Sequence, residues 1–366
     1  MARVRHIFRW DLDKTYLRTE FDSVRALVRT ARLSAEEREN IPGSAALIRA
    51  IRQAASEEDR HEIFFVSGSP EQLRSVIEKK FALDGFAPDG FVLKPTVSNL
   101  FRARFRAITS QVPYKLGALL GGRVHAPVGV KETLLGDDAE SDAFIYCFYA
   151  DLVRGRIGLP VLREVMKRAR AYGDQIAAIE KELESVVHEA AVLRVVIHLD
   201  QLTPPSAFAE YFPLVVPIYN HLQTALVLAL DKTLGVESVR VVARELLDQF
   251  GLDPAKLTLS AEDIFRRRRP YVEPEAIGGL ATQIRALINA PRDPGAHLLA
   301  KDDAVTETLL AIADHAERVA GVSMPPAVPR PPKVDYVELF AREEARRAEA
   351  RKAKKEPSKN DVPEPV

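Results

Sequence analysis

Three segments in the first part of the chain are rich in apolar residues and predict buried parallel strands. They span residues 4–10, 62–66 and 131–135, and each stops at a short polar loop. Strands that helices cover on both faces of a parallel sheet show apolar runs rather than a strict alternation of apolar and polar residues. Because ligands bind at the carboxyl ends of such strands, the three loops are the places to look for a site.

Helical segments separate these strands. A capping sequence at residues 34–37 and the pattern over 45–55 predict two helices before the second strand. Pro70 and Glu71 predict a helix over residues 70–81 with Ser69 as its N-cap, and a short strand is predicted near residues 90–93. The alternation predicts an α/β domain with a parallel sheet over residues 1–158. Since these elements fill the intervals between the loops, we expect little or no cap domain.

From residue 159 onward the apolar spacing becomes helical. Residues 161–197 predict one long amphipathic helix, interrupted at most near Gly173. The apolar segment 212–230 is long enough to suggest a membrane span, but prolines and polar residues interrupt it, so a buried helix is favoured. An all-helical domain is therefore predicted over residues 159–324, with further helices at residues 206–231, 236–250, 261–268, 274–290 and 303–320.

Residues 325–366 are rich first in proline and then in charged side chains, which predicts a largely disordered tail with a transient helix near residues 336–355. Basic residues outnumber acidic ones over residues 342–359, and residues 266–269 are four consecutive arginines. Weak association with an anionic membrane surface is one interpretation of these segments, and a solvated surface is the other.

Composition limits the classes of protein and partner. The chain has 366 residues, 46% of them hydrophobic, which allows two buried cores and excludes a fibrous protein. Its 52 basic and 52 acidic residues balance, so there is no specific signal for nucleic acid. The single cysteine, Cys147, excludes an intrachain disulfide and favours a packed thiol. The first strand starts close to Met1, which leaves no room for a signal peptide and predicts a cytoplasmic protein.

The loop after the first strand reads Asp11-Leu12-Asp13-Lys14-Thr15 and brings two carboxylates toward one small pocket. Two carboxylates that share a pocket repel each other and need a cation, and oxygen ligands of this kind suit Mg²⁺. Asp11 could then attack phosphorus and form an aspartyl phosphate. Asp13 could donate a proton to the leaving alcohol and later take one from water. The loop therefore indicates Mg²⁺-dependent phosphoryl transfer.

Three other segments complete the expected site. Ser67 and Gly68 follow the second strand, where a hydroxyl and backbone N–H groups could hold a phosphoryl oxygen. Lys115 adds a charge that would offset the repulsion between carboxylate and phosphate. Asp137 follows the third strand and is the expected second metal ligand. Two auxiliary acidic residues come next, Asp138 and Asp142.

Each segment also has an ordinary structural interpretation. The Asp-rich loops could be solvated turns, Ser67 a helix cap and Lys115 a surface residue. A shared site is favoured because three predicted strands end at the required residue types in the required order. His188, His198 and Asp200 could be imagined as a metal site, but no fourth partner lies nearby, so we predict none there.

The four segments resemble motifs one to four of the haloacid dehalogenase (HAD) superfamily over residues 5–150, and they are similar in more detail to the catalytic domain of the App1-type phosphatidate phosphatases. The resemblance implies a three-layer Rossmannoid domain. It implies that Asp11 is the nucleophile, that the backbone carbonyl of Asp13 contacts the metal, and that Asp142 supports Lys115 or a metal-bound water. The implied sets are Asp11, Asp13, Ser67 and Lys115 for catalysis, Asp11, Asp13 and Asp137 for Mg²⁺, and Ser67, Gly68 and Lys115 for phosphate.

The leading hypothesis is a Mg²⁺-dependent phosphomonoesterase. A phosphatidate-like lipid is the first expectation for its substrate, because of the resemblance, the absent cap and the basic segments. A soluble phosphate ester, or a phosphorylated end of a nucleic acid or protein, stays open. Two alternatives are a phosphotransferase and a non-catalytic scaffold whose helical half binds a partner. The intact charged positions of the site argue against the scaffold.

Overall fold

A computed structural model describes residues 2–19, 33–94, 111–290, 301–322 and 334–353. A six-stranded sheet with the strand order β3-β2-β1-β4-β5-β6 forms its centre, and every neighbouring pair is parallel. The strands are β1 (Arg3–Trp10), β2 (Asp59–Pro70), β3 (Gly90–Lys94), β4 (Lys131–Asp137), β5 (Val192–His198) and β6 (Val215–Ile218).

Helices cover both faces of this sheet. In chain order they are α1 (Ser44–Gln53), α2 (Arg74–Leu83), α3 (Val112–Val124), α4 (Asp142–Val153), α5 (Leu159–Arg168), α6 (Gly173–Ser185), α7 (His221–Leu230), α8 (Glu237–Asp248), α9 (Pro254–Arg268), α10 (Pro274–Asn289), α11 (Lys301–Ala320) and α12 (Tyr336–Ala353). Short 3₁₀ segments lie at Glu71–Leu73, Pro205–Tyr211 and Arg269–Tyr271.

Two apolar cores lie on opposite faces of the sheet. Leu135 and Val196 belong to the core formed with α1, α2 and α7 to α11. Their chain neighbours Leu134 and Val195 belong to the core formed with α3 to α6 and α12. Because successive residues of a strand face opposite sides, this division shows three layers, and the predicted α/β class with a parallel sheet and a helical C-terminal region is confirmed.

The prediction that the region after residue 158 is helical throughout is wrong at two places. The helix predicted over 161–197 is replaced by α5, α6 and strand β5. The helix predicted over 206–231 is replaced by a 3₁₀ segment, strand β6 and helix α7. Both strands are short runs rich in β-branched residues, which pack well when a sheet is buried on both faces.

Two predicted helix starts are also wrong. Ser34 and Glu37 exchange the hydrogen bonds of a capping box, at 2.8 and 3.4 Å, yet residues 35–37 form only a turn. Strand β2 runs on through Pro70, and the helix predicted at residue 70 begins as a 3₁₀ turn that leads into α2 at Arg74. Ser69 therefore does not cap a helix.

The boundary predicted at residue 158 stays a prediction, although the sheet and both cores extend across it. The prediction of little or no cap domain concerns intervals that include residues 20–32 and 95–110. These lie outside the described residues, so this stays a prediction. The buried position of Cys147 agrees with the expected packed thiol. Among the described helices, none is both long and apolar enough to cross a bilayer.

The tail is not disordered where the structure describes it. Helix α12 packs the rings of Tyr336 and Phe340 against Phe144, with ring centroids 5.9 and 5.3 Å apart. The Tyr336 hydroxyl donates to the backbone carbonyl of Cys147 at 2.9 Å, and it lies 2.7 Å from the carboxylate of Asp151. The apolar residues at the start of α12 therefore pack it against α4. Residues 323–333 and 354–366 of the predicted tail lie outside the described residues.

Candidate active site

The predicted site residues meet at the carboxyl ends of three adjacent strands, β2, β1 and β4. In the register of the sheet, Trp10 of β1 faces Phe65 on one side and Leu135 on the other. Asp11 comes next in the chain, and its backbone N–H donates to the carbonyl of Leu135 at 2.8 Å. Parallel strands end at one edge of the sheet, so Asp11 lies between the loop that carries Ser67 and the end of β4.

Lys115 is fully buried and forms the electrostatic centre of the site. Helix α3 places its ammonium Nζ 2.9 Å from Asp11 Oδ1, 2.9 Å from Glu140 Oε2 and 2.6 Å from Asp142 Oδ1. One cation therefore sits among three carboxylates. Lys115 thus contacts both Asp11 and Asp142, as the sequence predicts, and it also contacts Glu140, which the sequence analysis does not name.

Asp13 is held by two hydroxyl groups from the end of β2. Its Oδ2 atom accepts hydrogen bonds from Ser67 Oγ at 3.1 Å and from Ser69 Oγ at 2.7 Å. The Ser67 hydroxyl in turn accepts the backbone N–H of Ser69 at 2.9 Å. Ser67 and Asp13 are thus brought together as expected, and Ser69 is a site residue that sequence reasoning assigned to a helix cap.

The three acidic residues after β4 differ in their surroundings. Asp137 Oδ1 accepts the backbone N–H groups of Ala139 and Glu140, at 2.6 and 3.1 Å. Both oxygens of Asp142 have a partner, because Oδ1 contacts Lys115 and Oδ2 accepts the backbone N–H of Asp137 at 3.3 Å. These contacts make Asp142 a support for Lys115 and for the β4 loop.

Asp138 faces away from this cluster and toward the loop after β5. Its two carboxylate oxygens accept the backbone N–H groups of Gln201 and Thr203, at 2.8 and 3.0 Å. Among the described contacts it therefore anchors a neighbouring loop, and the structure does not bring it to Asp11 or Lys115.

Two glycines allow the close packing of these loops. A Cβ atom at Gly136 would overlap the carboxylate and Cβ of Asp142, so a side chain there would displace the partner of Lys115. A Cβ atom at Gly68 would lie 2.5 Å from the amide of Gln111. Gly68 follows Ser67 directly, and its lack of a side chain leaves room for the Gln111 amide to approach the backbone closely.

Burial dominates the ionisation of the site. Burial and then the neighbouring carboxylates raise the pKa of Asp11 and of Asp137 well above its usual range, and Lys115 opposes the rise. Burial also raises the pKa of Asp13, and the two serine hydroxyls oppose it. Burial alone would lower the pKa of Lys115, but Asp11 and Asp142 raise it well above its usual range. The carboxylates therefore favour additional positive charge.

The donor set fits a divalent cation. Asp11 Oδ2 and Asp137 Oδ2 are both buried, and neither has a hydrogen-bond partner among the described residues. A buried carboxylate oxygen without a partner is costly, and a hard cation would satisfy it. Oxygens of Asp11, Glu140 and Asp142 also lie within 4.8 Å of one another. Since both oxygens of Asp142 are already bonded, Asp11 and Asp137 are the better candidates, and the complete ligand set stays a prediction.

Sequence reasoning missed three residues around the site besides Ser69. Glu140 lies beside Lys115, and Lys94 is a buried cation at the end of β3 with its ammonium 5.6 Å from the ring centre of Tyr114. The sequence could have indicated Lys94, because it directly follows the strand predicted at 90–93. His198 contacts the catalytic loop, with Nδ1 2.8 Å from the carbonyl oxygen of Lys14, rather than a metal group.

Comparison with known proteins agrees with this geometry. Residues 10–164 match the family model of the phosphatidate phosphatase APP1 catalytic domain, which has a HAD-like phosphatase fold. The resemblance inferred from the sequence motifs is confirmed over this range. No curated protein and no solved structure matches the chain.

Proposed function

We propose that this protein is a Mg²⁺-dependent phosphomonoesterase that acts through an aspartyl phosphate on Asp11. The match of residues 10–164 to the family model of the phosphatidate phosphatase APP1 catalytic domain supports the proposal. One observation carries the proposal: the carboxylate of Asp11 lies at the ends of the central strands, with one oxygen on Lys115 Nζ and the other without a hydrogen-bond partner among the described residues. A nucleophilic carboxylate needs this combination of a fixed orientation and an available oxygen.

In the first step Asp11 attacks phosphorus, and the bond between phosphorus and the leaving oxygen breaks. Asp13 donates its proton to that oxygen, which leaves as an alcohol. The raised pKa of Asp13 favours the protonated form that this step requires. In the second step Asp13 takes a proton from water, the water oxygen attacks phosphorus, and phosphate leaves Asp11.

Positive charge near Asp11 serves both steps. Lys115 is held by Glu140 and Asp142, so its ammonium is fixed before substrate arrives and costs little reorganisation in the transition state. A bound Mg²⁺ would neutralise the phosphoryl oxygens and keep Asp11 ionised, with Asp11 and Asp137 as its best supported ligands and the backbone carbonyl of Asp13 as the third. Ser67 and the backbone at Gly68 are proposed to hold the phosphoryl group.

An exposed apolar residue at the carboxyl edge of the sheet favours a lipid leaving group. Leu202 is 73% exposed, and its backbone has the left-handed φ of 54° that side chains other than glycine rarely adopt. The amides on either side of it are fixed by the carboxylate of Asp138, the neighbour of Asp137. The loop follows β5 and so presents an apolar side chain at the carboxyl edge of the sheet, the edge that carries Asp11, and this is where we propose that a diacylglycerol would contact the protein. The basic residues of α12 are a proposed aid to weak membrane association.

The test is phosphate release with Mg²⁺ from phosphatidate in mixed micelles, sugar phosphates, nucleotides and an aryl phosphate. We expect release from phosphatidate that is lost in Asp11→Asn. Leu202→Ser should raise the apparent KM for phosphatidate several-fold and leave the aryl phosphate unchanged. Val128→Ser is the matched control, since Val128 is 72% exposed but lies before β4, at the opposite edge of the sheet.

Each other outcome selects one alternative. Release from soluble esters alone would retain the mechanism and reject the lipid. Transfer of phosphate to an added alcohol in place of water would indicate a phosphotransferase. Full activity of Asp11→Asn would overturn the mechanism. Failure to bind Mg²⁺, together with a stable partner complex through residues 151–330, would favour the scaffold. A cytoplasmic location stays a prediction.

A further inference from the structure

The backbone of the catalytic loop turns sharply directly after Asp13. Lys14 has a left-handed φ of 61°, and the backbone N–H groups of Tyr16 and Leu17 both donate to the carbonyl of Leu12, at 3.0 and 2.8 Å. This tight turn leaves the carbonyls of Lys14 and Thr15 to find donors elsewhere. Both find them in the C-terminal half of the chain.

Two buried histidines supply these donors. His198 Nδ1 lies 2.8 Å from the carbonyl oxygen of Lys14, and His221 Nε2 lies 3.0 Å from that of Thr15. The two imidazole rings stack with centroids 6.0 Å apart and an angle of 14° between their planes. They come from different elements, the last residue of β5 and the first residue of α7.

The contacts fix the tautomer of each ring. Burial lowers the pKa of His198, and it lowers that of His221 to about 3, so both imidazoles are neutral and carry one N–H each. A carbonyl oxygen only accepts, so His198 carries its hydrogen on Nδ1 and His221 on Nε2. His221 Nδ1 then accepts from the hydroxyl of Thr224, at 3.3 Å.

Neighbouring contacts extend the attachment. Asp200, two residues after His198, forms an ion pair with Lys14 at 3.1 Å. The ring of His221 also lies 5.5 Å from that of Trp10, the residue before Asp11. The C-terminal half therefore holds the loop at consecutive backbone carbonyls, at the Lys14 side chain and at Trp10.

We propose that His198 and His221 are positioning residues that fix the backbone of the Asp11–Asp13 loop, so that the C-terminal half sets the geometry of the catalytic carboxylates. Neither ring touches Asp11 or Asp13 among the described contacts, and both act through the carbonyls of the next two residues. The proposal rests on the proposed function for its kinetic consequence, whereas the attachment itself can be measured without any activity.

Matched substitutions distinguish the contribution of the N–H donor from that of side-chain packing. At His198, Asn keeps an N–H near the position of Nδ1, whereas Leu removes it. At His221, Gln keeps an N–H near the position of Nε2. We expect His198→Leu to lower kcat by about 10- to 100-fold with little change in KM, as small displacements of catalytic groups do. His198→Asn and His221→Gln should stay within about threefold of the wild type.

Hydrogen exchange of the intact protein supplies the readout that does not depend on turnover. His198→Leu should speed exchange of the amides of Lys14, Tyr16 and Leu17, and His198→Asn should not. His188→Leu is the control, since His188 Nδ1 also lies 3.3 Å from a backbone carbonyl, that of Val153, away from the site. It should change neither exchange in the loop nor kcat.

Two results would overturn the proposal. One is unchanged loop exchange and kcat in His198→Leu. The other is equal loss in His198→Leu and His198→Asn, which would show that ring packing alone matters. If the wild type releases no phosphate from any substrate, the proposed function fails, and the exchange experiment still decides whether the histidines fix the loop.

Discussion

Lys115→Met is the perturbation that tests the electrostatics of the site most severely. The substitution keeps the approximate length of the side chain and removes the positive charge that contacts Asp11, Glu140 and Asp142. Lys115 is 0% exposed, so water cannot replace the ammonium without a rearrangement. Three acidic groups are then left without their common cation.

The expected loss of stability is large. Breaking a buried ion pair by removing one partner costs about 3–5 kcal/mol, because the remaining charge stays buried and uncompensated. Here the cost falls toward the lower end, since the carboxylates can take up protons. Lys79→Met is the control, because the ion pair between Lys79 and Glu36 is exposed and screened by water, so its loss should change the free energy of unfolding little.

The pH dependence follows from the raised pKa values of Asp11 and Asp142. A carboxyl group whose pKa is higher in the folded than in the unfolded protein destabilises the fold as the pH rises from the unfolded pKa through the folded pKa. Lys115 limits the rise in the pKa of both carboxyl groups. Its removal should raise these pKa values further and so increase the destabilisation at neutral pH. The stability difference from the wild type should therefore be largest near pH 7 and shrink toward pH 4.

The measurement is urea unfolding followed by tryptophan fluorescence at several pH values, with and without Mg²⁺. Trp10 is the single tryptophan of the chain, is fully buried and precedes Asp11, so its emission reports on the site. Mg²⁺ should stabilise Lys115→Met more than the wild type, because it replaces the missing charge. Equal stability of the two proteins at pH 7, or a difference that grows toward acid pH, would refute the reasoning.

Three further predictions concern other charged and polar contacts. Asp11→Asn should lower phosphate release by on the order of 10³-fold or more while stabilising the Mg²⁺-free protein, because the amide carries no buried charge; a stability loss in urea would contradict this. Glu132→Gln should cost about 3–5 kcal/mol at pH 7, since Glu132 forms a buried ion pair with Arg9 at 2.9 Å. Arg9 overcomes burial and holds the pKa of Glu132 below its usual range, so this contribution is present above the unfolded pKa and is lost as the pH falls through the folded pKa; a pH-independent loss would argue against it. Tyr336→Phe should cost about 1–3 kcal/mol by removing the hydrogen bond to Asp151, and limited proteolysis should then release α12 faster than in the wild type.

The sequence predicts which residues meet at one edge of the sheet, because these residues follow strands of one parallel sheet. Apolar-rich runs predict β1, β2 and β4, and these strands lie side by side, so Asp11, Ser67 and Asp137 reach one edge whatever elements connect the strands. Their roles stay a prediction. Lys115 lies on a helix and follows no strand, so only its order among the motifs of the resembled superfamily identifies it as a site residue.

Elements beyond these motifs were harder to predict, for identifiable reasons. The run at Val192–His198 is short and apolar, and such a run fits a helix or a buried strand until its β-branched content is weighed. Ser69 precedes a proline, which is typical of a helix cap, yet the continuing strand turns its hydroxyl toward Asp13. Helix α12 is largely charged, so its composition predicts only a transient helix. Its docking on the core depends on a few apolar residues near its start, and the sequence pattern does not reveal their partners.

The contact of His198 with Lys14 illustrates what sequence cannot supply. The two residues are 184 positions apart, and no local pattern links them. Only the placement of β5 beside β4 brings the ring to the catalytic loop.

The most direct test of the proposed mechanism is to trap its covalent intermediate. Wild-type protein is mixed with labelled substrate and Mg²⁺, quenched in acid within the first turnover and digested, and the peptide that contains Asp11 is analysed by mass spectrometry. We predict a phosphoryl group on Asp11 that hydroxylamine removes and that is absent from Asp11→Asn. Substrate turnover with no phosphoryl group on this peptide, or with the group on another residue, would contradict the mechanism.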